Sequence, residues 1–590
     1  MKILLIQPPI QDFYQTSIRT QPIGLAYLGA SLQTDGHEVQ ILDCQTEKKR
    51  SISIPSELSY LRDFYPFDDR SPFKLYTGYY HFGMNRNEIR KRIEVSNADI
   101  FGISSSFTPY HGEAVEIARI IKAWDSDKVV IMGGAHVSCD PEGVLESPFV
   151  DYIVLGEGEI RFPLLLKKIE KGNTGGIQEI DGIGYRVNEE VRINPLKTFV
   201  EDLDSLPRPA RDLLGLDRYR IRKKRSTMII TSRGCPHGCA YCSTHLVMGA
   251  SFRTRSPENV VQEMIDCMRR YGIRTFDIED DNFTFDQERA KRLMGLLIET
   301  FGEQNLELTA MNGISFASLD EELLRLMKKA GFKTINLSFV STAPSTKERM
   351  KRPKGMADFN KILEQVEHLG LHVIAYGIFG MPGQTIEEMV DTLIYLMGKR
   401  VLIGPSVYYP TPGTPLFQRC REEGVLPSHP SQWRSSALPI ETKDFSRLDI
   451  VTLLRLARSI NFIKEEMDEM ELSEGMTLRE IHHVLKEKAE VEVYIPCLPS
   501  ARLQEGGAMG SAKCDKGDAI TWIDLLLLLI SEKSFFSLKR DPGGKISILE
   551  ERSSKKVLDH FFKRAWESPI LQSHSSPSIS GKGELPSPLL

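Results

Sequence analysis

Three cysteines fall within eight residues, at positions 235, 239 and 242 of Arg233-Gly-Cys-Pro-His-Gly-Cys-Ala-Tyr-Cys242. Thiolates are soft ligands that suit zinc, copper or an iron–sulfur cluster. Three of them do not close a four-ligand site. A cubane held by Cys235, Cys239 and Cys242 keeps one iron open for an exogenous ligand. Cluster runs commonly supply a fourth cysteine, and structural zinc sites take four ligands, typically from CxxC pairs. Neither a fourth nearby cysteine nor a second pair follows here. Two alternatives stay open: a zinc site completed by His237 or His245, and three buried thiols with no metal.

The cysteines come directly after residues 227–232, an apolar run that reads as a buried strand, so they sit on a loop where a ligand is reached. The CxxxCxxC spacing, the Arg-Gly-Cys-Pro lead-in and Tyr241 before the last cysteine resemble the radical S-adenosylmethionine superfamily. The resemblance implies a 4Fe–4S cluster on Cys235, Cys239 and Cys242. Its open iron binds the amino and carboxylate groups of S-adenosylmethionine, and Tyr241 lies beside them. Reductive cleavage of the sulfonium then yields a 5′-deoxyadenosyl radical, the electron coming from a carrier of the flavodoxin or ferredoxin type.

Composition bounds the setting. A chain of 590 residues has room for several domains. Its 41% hydrophobic and 26% charged residues are ordinary for a globular protein. With 75 basic and 80 acidic residues the net charge is −5, which offers nucleic acid no general basic field. Nine cysteines, three of them clustered, do not make a disulfide scaffold. Met1-Lys-Ile-Leu-Leu-Ile-Gln-Pro is too short an apolar run for a signal peptide. The run 525–530 is too short to span a bilayer and reads as a buried helix. The expectation is a cytoplasmic protein acting on a small molecule, without nucleic acid or a membrane span.

Residues 1–195 alternate strands (2–7, 38–43, 98–104, 129–132, 152–155) with helices (22–33, 113–124, 162–171). That pattern predicts an α/β fold whose doubly wound parallel sheet carries helices on both faces. Ligands of such sheets lie at the carboxyl ends of the strands. The residues there are small: Ser104, Ser105 and Ser106, Gly133 and Gly134, Gly156 and Gly158. They admit a flat ligand to the backbone, or they are tight turns. Pro22-Ile-Gly24-Leu-Ala-Tyr-Leu, Gly36-His-Glu-Val, Gly133-Gly-Ala-His136 and Val154-Leu-Gly-Glu157-Gly-Glu159 resemble the N-terminal cobalamin-binding domain of a radical-enzyme subfamily. The resemblance assigns Pro22, Gly24, the three serines, Gly133, Gly134, Gly156, Glu157 and Gly158 to cobalamin. Asp35-Gly-His37-Glu-Val-Gln40 departs from the cobalt-ligating DxHxxG pattern, so His37 reads as a turn residue. Residues 48–95, rich in Tyr, Arg, Phe and Pro, break the alternation and read as a lid, a substrate loop or a plain surface insertion.

A hairpin at 182–195 and a linker over 196–225 lead to a second domain, 226–420. Strands at 275–278, 306–310, 334–339, 373–379 and 402–409 alternate with helices at 257–271, 288–300, 320–330 and 359–369. With the strand before the cysteines they make six βα units, and the resemblance implies a partial barrel. Glu279-Asp-Asp-Asn-Phe283 matches the segment after the second strand, placing Asp280 and Asp281 near S-adenosylmethionine; a solvated acidic turn is the alternative. Gly377-Ile-Phe379-Gly-Met-Pro-Gly-Gln-Thr385 matches the fifth-strand region on the adenine side. Tyr409-Pro-Thr-Pro-Gly-Thr-Pro415 matches the sixth-strand end. Ser338-Phe-Val-Ser341 departs from Gly-x-Glu-Ser: Ser338 stays among the cofactor contacts, but Val340 stands where relatives carry glutamate. Lys354-Gly355 fits the pattern. Residues 421–572 are read as mostly helical, with amphipathic helices at 448–470 and 478–488 and isolated Cys497 and Cys514; 573–590 reads as a disordered tail.

The resemblance implies a cobalamin-dependent radical enzyme that methylates an unactivated carbon. The adenosyl radical removes a hydrogen, and the substrate radical takes methyl from methylcobalamin. An oxidative cyclase or rearrangement enzyme is the alternative within the superfamily. A non-catalytic cobalamin or redox sensor is a third reading, against which the intact cysteines count. A methylthiotransferase would need three further N-terminal cysteines and a basic RNA-binding tail domain.

Overall fold

The computed structural model describes all residues except 15–20, 47–48, 172–173, 353–354, 468–471, 493–521, 542–545 and 572–590. Lys354, Cys497, Cys514 and the tail expectation at 573–590 lie outside the described residues.

The N-terminal sheet runs Glu38–Asp43, Lys2–Gln7, Ile100–Ser104, Val129–Gly133 and Tyr152–Val154, all parallel, and ends in the antiparallel hairpin Ile183–Val187 and Glu190–Ile193. The pleat divides the apolar strand Lys2–Gln7 between two cores. Ile3 and Leu5 meet the helices Ile23–Thr34 and Gly158–Glu170; Leu4 and Ile6 meet Arg86–Ser96 and His111–Trp124. Strand order reverses between Lys2–Gln7 and its neighbour Ile100–Ser104, so the crevice for a ligand opens at their carboxyl ends.

Residues 49–95 are packed into the rest of the chain and are not a plain surface insertion. Lys49–Ile52 and Tyr79–Phe82 join Ile10–Asp12 in an antiparallel sheet. Phe13, Tyr65, Tyr76 and Tyr79 pack ring against ring. Tyr60 and Tyr65 donate to the carbonyls of Ala437 and Ser436 at 2.5 and 2.8 Å. Leu538 N donates to Asp69 at 3.1 Å. The segment is thus the joint between the N-terminal sheet and the C-terminal region. Its helix Arg86–Ser96 starts on a capping box formed by Asn85 and Glu88.

The second domain carries six successive parallel strands: Lys224–Ile229, Thr275–Ile278, Glu307–Thr309, Thr334–Val340, His372–Phe379 and Leu402–Val407. Bridges Leu308–Phe332 and Ile314–Leu337 join the first three to the last three. Ser256, Asp286, Asp320 and Thr385 cap the outer helices that follow, each accepting a bond from the third helical amide. The barrel stops at Leu402–Val407, whose free edge is covered. Asn461, on the helix Arg447–Glu466, exchanges two 2.8 Å bonds with the Ile403 backbone.

The C-terminal region adds the helices Leu478–Glu492, Trp522–Glu532 and Lys555–Ala565. It also holds a hairpin, Phe535–Arg540 with Ile546–Glu551, where helical spacing was expected. Among the described residues no helix is long and apolar enough to cross a membrane.

Candidate functional site

The cysteine loop leaves the barrel at the end of its first strand. Ser232–Arg233 pairs antiparallel with Arg253–Thr254, so residues 234–252 form an excursion rooted on a two-residue ladder. Gly234 turns the chain at φ +81°, and a Cβ there would lie 2.2 Å from the Ser251 carbonyl oxygen. Asp280, buried, accepts from Thr231 N (2.6 Å), Thr231 Oγ1 (2.5 Å) and Ser232 Oγ (2.7 Å). Asp281 accepts from Gly234 N at 3.0 Å and Thr244 Oγ1 at 3.1 Å. Burial pushes both carboxyls up, and these bonds oppose it. The two aspartates therefore brace the loop from beneath.

Cys239 is buried, and Cys235 and Cys242 are half-buried. Each sulfur has a polar neighbour. Asn282 Nδ2 is 3.7 Å from Cys235 Sγ, Arg352 Nη1 is 3.8 Å from Cys239 Sγ, and Thr244 Oγ1 is 3.2 Å from Cys242 Sγ. Ala240 N donates to Met350 O at 3.2 Å, and Leu416 N donates to Ala240 O at 2.9 Å. Burial pushes the Cys235 and Cys242 thiols up, which a bound metal reverses by taking the thiolate outright. A zinc site needs these cysteines and a histidine to converge on one ion. Among the described residues no three His, Cys, Asp or Glu side chains do so, and His237 packs against Phe285 at 5.8 Å. A cubane asks each thiolate to take a different iron, and this donor set fits it.

Beside the loop lies a cavity of about 510 Å³ at the carboxyl ends of the barrel strands, lined by Tyr241, Cys242, Asn312, Ser338, Val340 and Tyr376, among others. That volume suits a nucleoside-sized cofactor. In the fifth strand Tyr376 and Ile378 line the cavity. The alternate residues turn away: Phe379 is fully buried in the core, and Gly377 faces Thr392 of the outer helix Ile386–Met397. Arg352 Nη2 donates to both the carbonyl (3.0 Å) and the hydroxyl (2.8 Å) of Ser338. Val340 sits at φ +74°, where a β-branched residue is strained by roughly 1–3 kcal/mol. The strand register slips between Ser338 and Val340. Asn312 Nδ2 donates to Glu279 at 2.7 Å. Burial, and then the charge of Asp277, push the Glu279 carboxyl up to about 8. Sequence reasoning missed Arg352, Asn312 and Tyr376; only the strand alternation signalled Tyr376.

On the N-terminal sheet the small loops meet backbone to backbone. Ser105 N donates to Gly133 O at 2.7 Å, and a Cβ on Gly134, at φ +114°, would lie 2.7 Å from Ser105 O. Ser104 and Ser106 hydroxyls are 3.1 Å apart. Ser105 Oγ meets His111 Nδ1 at 3.0 Å, and Thr108 Oγ1 meets His136 Nδ1 at 3.1 Å. The two imidazoles lie 4.4 Å apart, and burial lowers them to about 3 and about 4, so both are neutral. Pro22 caps the helix Ile23–Thr34, Gly24 is its second residue, and a Cβ on Gly24 would meet nothing within 4 Å. Hydroxyls and bare backbone at one sheet edge fit a broad, flat macrocycle. His37 is at the opposite edge, 3.5 Å from the Met1 amine. Gly156 and Gly158 flank Glu157, whose carboxylate is taken by Arg233, Arg253 and Val200 N. The helix Ala135–Cys139 packs against Thr244–Val247, directly after Cys242. The carboxyl ends of the two domains therefore face one another.

Residues 229–396 match the Radical SAM superfamily, and 78–166 match the B12 binding domain. An uncharacterised methyltransferase of Pyrococcus horikoshii is 29% identical over 468 residues, 78% of this chain and 91% of that protein. The cytidylyl-2-hydroxyethylphosphonate methyltransferase of Streptomyces wedmorensis is 28% identical over 474 residues, 73% of this chain and 84% of that protein. The cobalamin-dependent S-adenosylmethionine radical enzyme OxsB, solved with aqua-cobalamin and S-adenosylmethionine, shares the fold at a TM-score of 0.58 and 16% identity, over 83% of this chain and 71% of that one. With its cysteine loop at a partial-barrel mouth and a small-residue sheet edge facing it, the chain belongs to the cobalamin-binding radical S-adenosylmethionine family.

Proposed function

We propose that this chain methylates an unactivated carbon of a small molecule or biosynthetic intermediate. The observation that carries the reading is the facing of the two strand-end edges across Ala135–Cys139 and Thr244–Val247. When bound, the cluster and S-adenosylmethionine supply a radical that removes hydrogen, and cobalamin supplies the methyl group. Cys235, Cys239 and Cys242 hold the cluster. Tyr241, Ser338, Asn312 and Tyr376 hold S-adenosylmethionine in the barrel cavity. Gly24, the three serines, Gly133, Gly134, Gly156 and Gly158 border the corrin. Met311, Ile378, Val407 and Tyr408 wall the cavity with apolar surface, which keeps water from a reactive radical. Substrate held between the edges meets the hydrogen-abstracting group on one side and the methyl donor on the other. A flavodoxin- or ferredoxin-type carrier supplies electrons, in a reducing cytoplasm.

The test uses S-adenosylmethionine deuterated in its methyl group. The expected result is label in the product, with 5′-deoxyadenosine and S-adenosylhomocysteine both formed. Substrate turnover with 5′-deoxyadenosine, but without label transfer or S-adenosylhomocysteine, replaces this reading with the cyclase type.

A further inference from the structure

The loop that ends the fifth parallel strand of the N-terminal sheet reaches into the barrel. Glu157 Oε1 accepts from Arg233 Nη1 at 2.8 Å and from Arg253 Nη1 at 3.0 Å. Its Oε2 accepts from Arg253 Nη1 at 2.9 Å and from Val200 N at 2.7 Å. Glu159 Oε1 accepts from Arg233 Nη2 at 2.6 Å. All four side chains are 8% exposed or less. Two carboxylates against two guanidiniums leave the buried group neutral, as burial of charge requires.

The position of the two arginines gives this quartet its meaning. Arg233 and Arg253 are register partners in the ladder at the root of the cysteine loop. Everything between them, with Cys235, Cys239 and Cys242, hangs from that ladder. On the other side, Glu157 lies between Gly156, at φ +62°, and Gly158, both at the edge read as cobalamin-binding. A Cβ on Gly156 would stand 3.3 Å from the Val247 carbonyl oxygen, inside the cysteine loop. A shift of residues 156–158 therefore acts on the loop root through ionic bonds: Arg233 spans Glu157 and Glu159 with its two Nη atoms, and Arg253 sets one Nη atom on both oxygens of Glu157 and the other on the Met248 carbonyl of the cysteine loop.

We infer that Glu157 is a positioning residue that couples cobalamin occupancy to the cluster loop. Its carboxylate is taken up by Arg233, Arg253 and Val200 N, and it transmits between the two edges through the arginines. The inference rests on the reading of the two edges as cobalamin and cluster sites. Coupling of this kind is reciprocal, so cluster loading must alter cobalamin affinity by the factor with which cobalamin alters the cluster.

The test titrates the full chain with hydroxocobalamin, followed by visible absorption, before and after anaerobic cluster reconstitution. In the wild type the dissociation constant is expected to change about 5-fold or more between the two states. In Glu157→Gln the ratio collapses to about 1, with iron content and far-ultraviolet dichroism retained. Glu157→Asp, which keeps the charge, recovers part of the ratio. Arg253→Lys, which keeps charge but loses the paired Nη atoms that join Glu157 to the Met248 carbonyl, gives the same collapse if Glu157→Gln fails to fold. A wild-type ratio of about 1 overturns the inference whatever the variants do, and so does an unchanged ratio in the variants. Failure of the underlying reading looks different: the wild type then takes up no iron or no corrin.

Discussion

Gly234→Ala tests the cysteine loop at its tightest point. The backbone there holds φ +81°, which costs an L side chain roughly 1–2 kcal/mol. The added Cβ would also stand 2.2 Å from the Ser251 carbonyl oxygen and 3.1 Å from that of Met248. Both are backbone atoms, so no rotamer relieves the overlap. The chain must shift, and the shift breaks the bond from Gly234 N to Asp281, worth about 1.5–3 kcal/mol because it is charged. The penalty is of order 3–5 kcal/mol, confined to residues 234–252. A local penalty of that size empties the loop's native state without unfolding the domain. Iron and sulfide per chain after anaerobic reconstitution should fall far below a full cubane, while far-ultraviolet dichroism and cobalamin uptake persist. Full iron loading with an unaltered cluster spectrum would refute the reasoning.

Alanine at Cys235, Cys239 or Cys242 should each abolish reductive cleavage of S-adenosylmethionine, read as 5′-deoxyadenosine after dithionite; zinc uptake without iron would contradict the ligand assignment. Glu279 titrates near 8 in the fold against about 4.3 unfolded, so the folded state holds the extra proton. Its contribution is complete below about pH 4.3 and is lost as pH rises towards 8. Glu279→Gln should therefore flatten the fall in melting temperature between those limits, and an unchanged slope would sink the assignment. Electron paramagnetic resonance of the cob(II)alamin form should carry no nitrogen splitting from His37, which lies at the far edge of the sheet; splitting traced to His37 would reverse that.

The parts of the fold that sequence patterns reveal are those held by local rules. Ile3, Leu4, Leu5 and Ile6 of Lys2–Gln7 are apolar because both faces of the strand are covered, and the barrel helices announce themselves by Ser256, Asp286, Asp320 and Thr385 at their starts. The cysteine spacing likewise needs no tertiary information. What escaped depends on distant partners. Glu157 sits among glycines and reads, from the resemblance, as a cobalamin contact; the arginines that claim its carboxylate lie 76 and 96 positions away. Arg352 reaches Cys239 across 113 positions. Asp280 and Asp281 come at a strand end, where a ligand contact and a loop brace look alike until the donors are placed. Gly377 and Phe379 come from a motif that implies backbone contact on the adenine side; the face of the pleat that their side chains take is set by packing, against the core for Phe379 and towards Thr392 for Gly377. Residues 48–95 lack a period because their aromatics pack among three parts of the chain. The hairpin Phe535–Arg540 with Ile546–Glu551 was hidden for the same reason: it packs on Asp69 and the helix Trp522–Glu532, which no local pattern encodes.

The central claim is that one chain brings an iron–sulfur cluster and cobalamin face to face. Electron paramagnetic resonance of the protein loaded with both, the cluster reduced and the cobalt as cob(II)alamin, tests it most directly. Mutual broadening or splitting of the two signals is expected, lost in Cys239→Ala, where the cobalamin signal alone remains. Two independent, unperturbed spectra from fully loaded protein would contradict it.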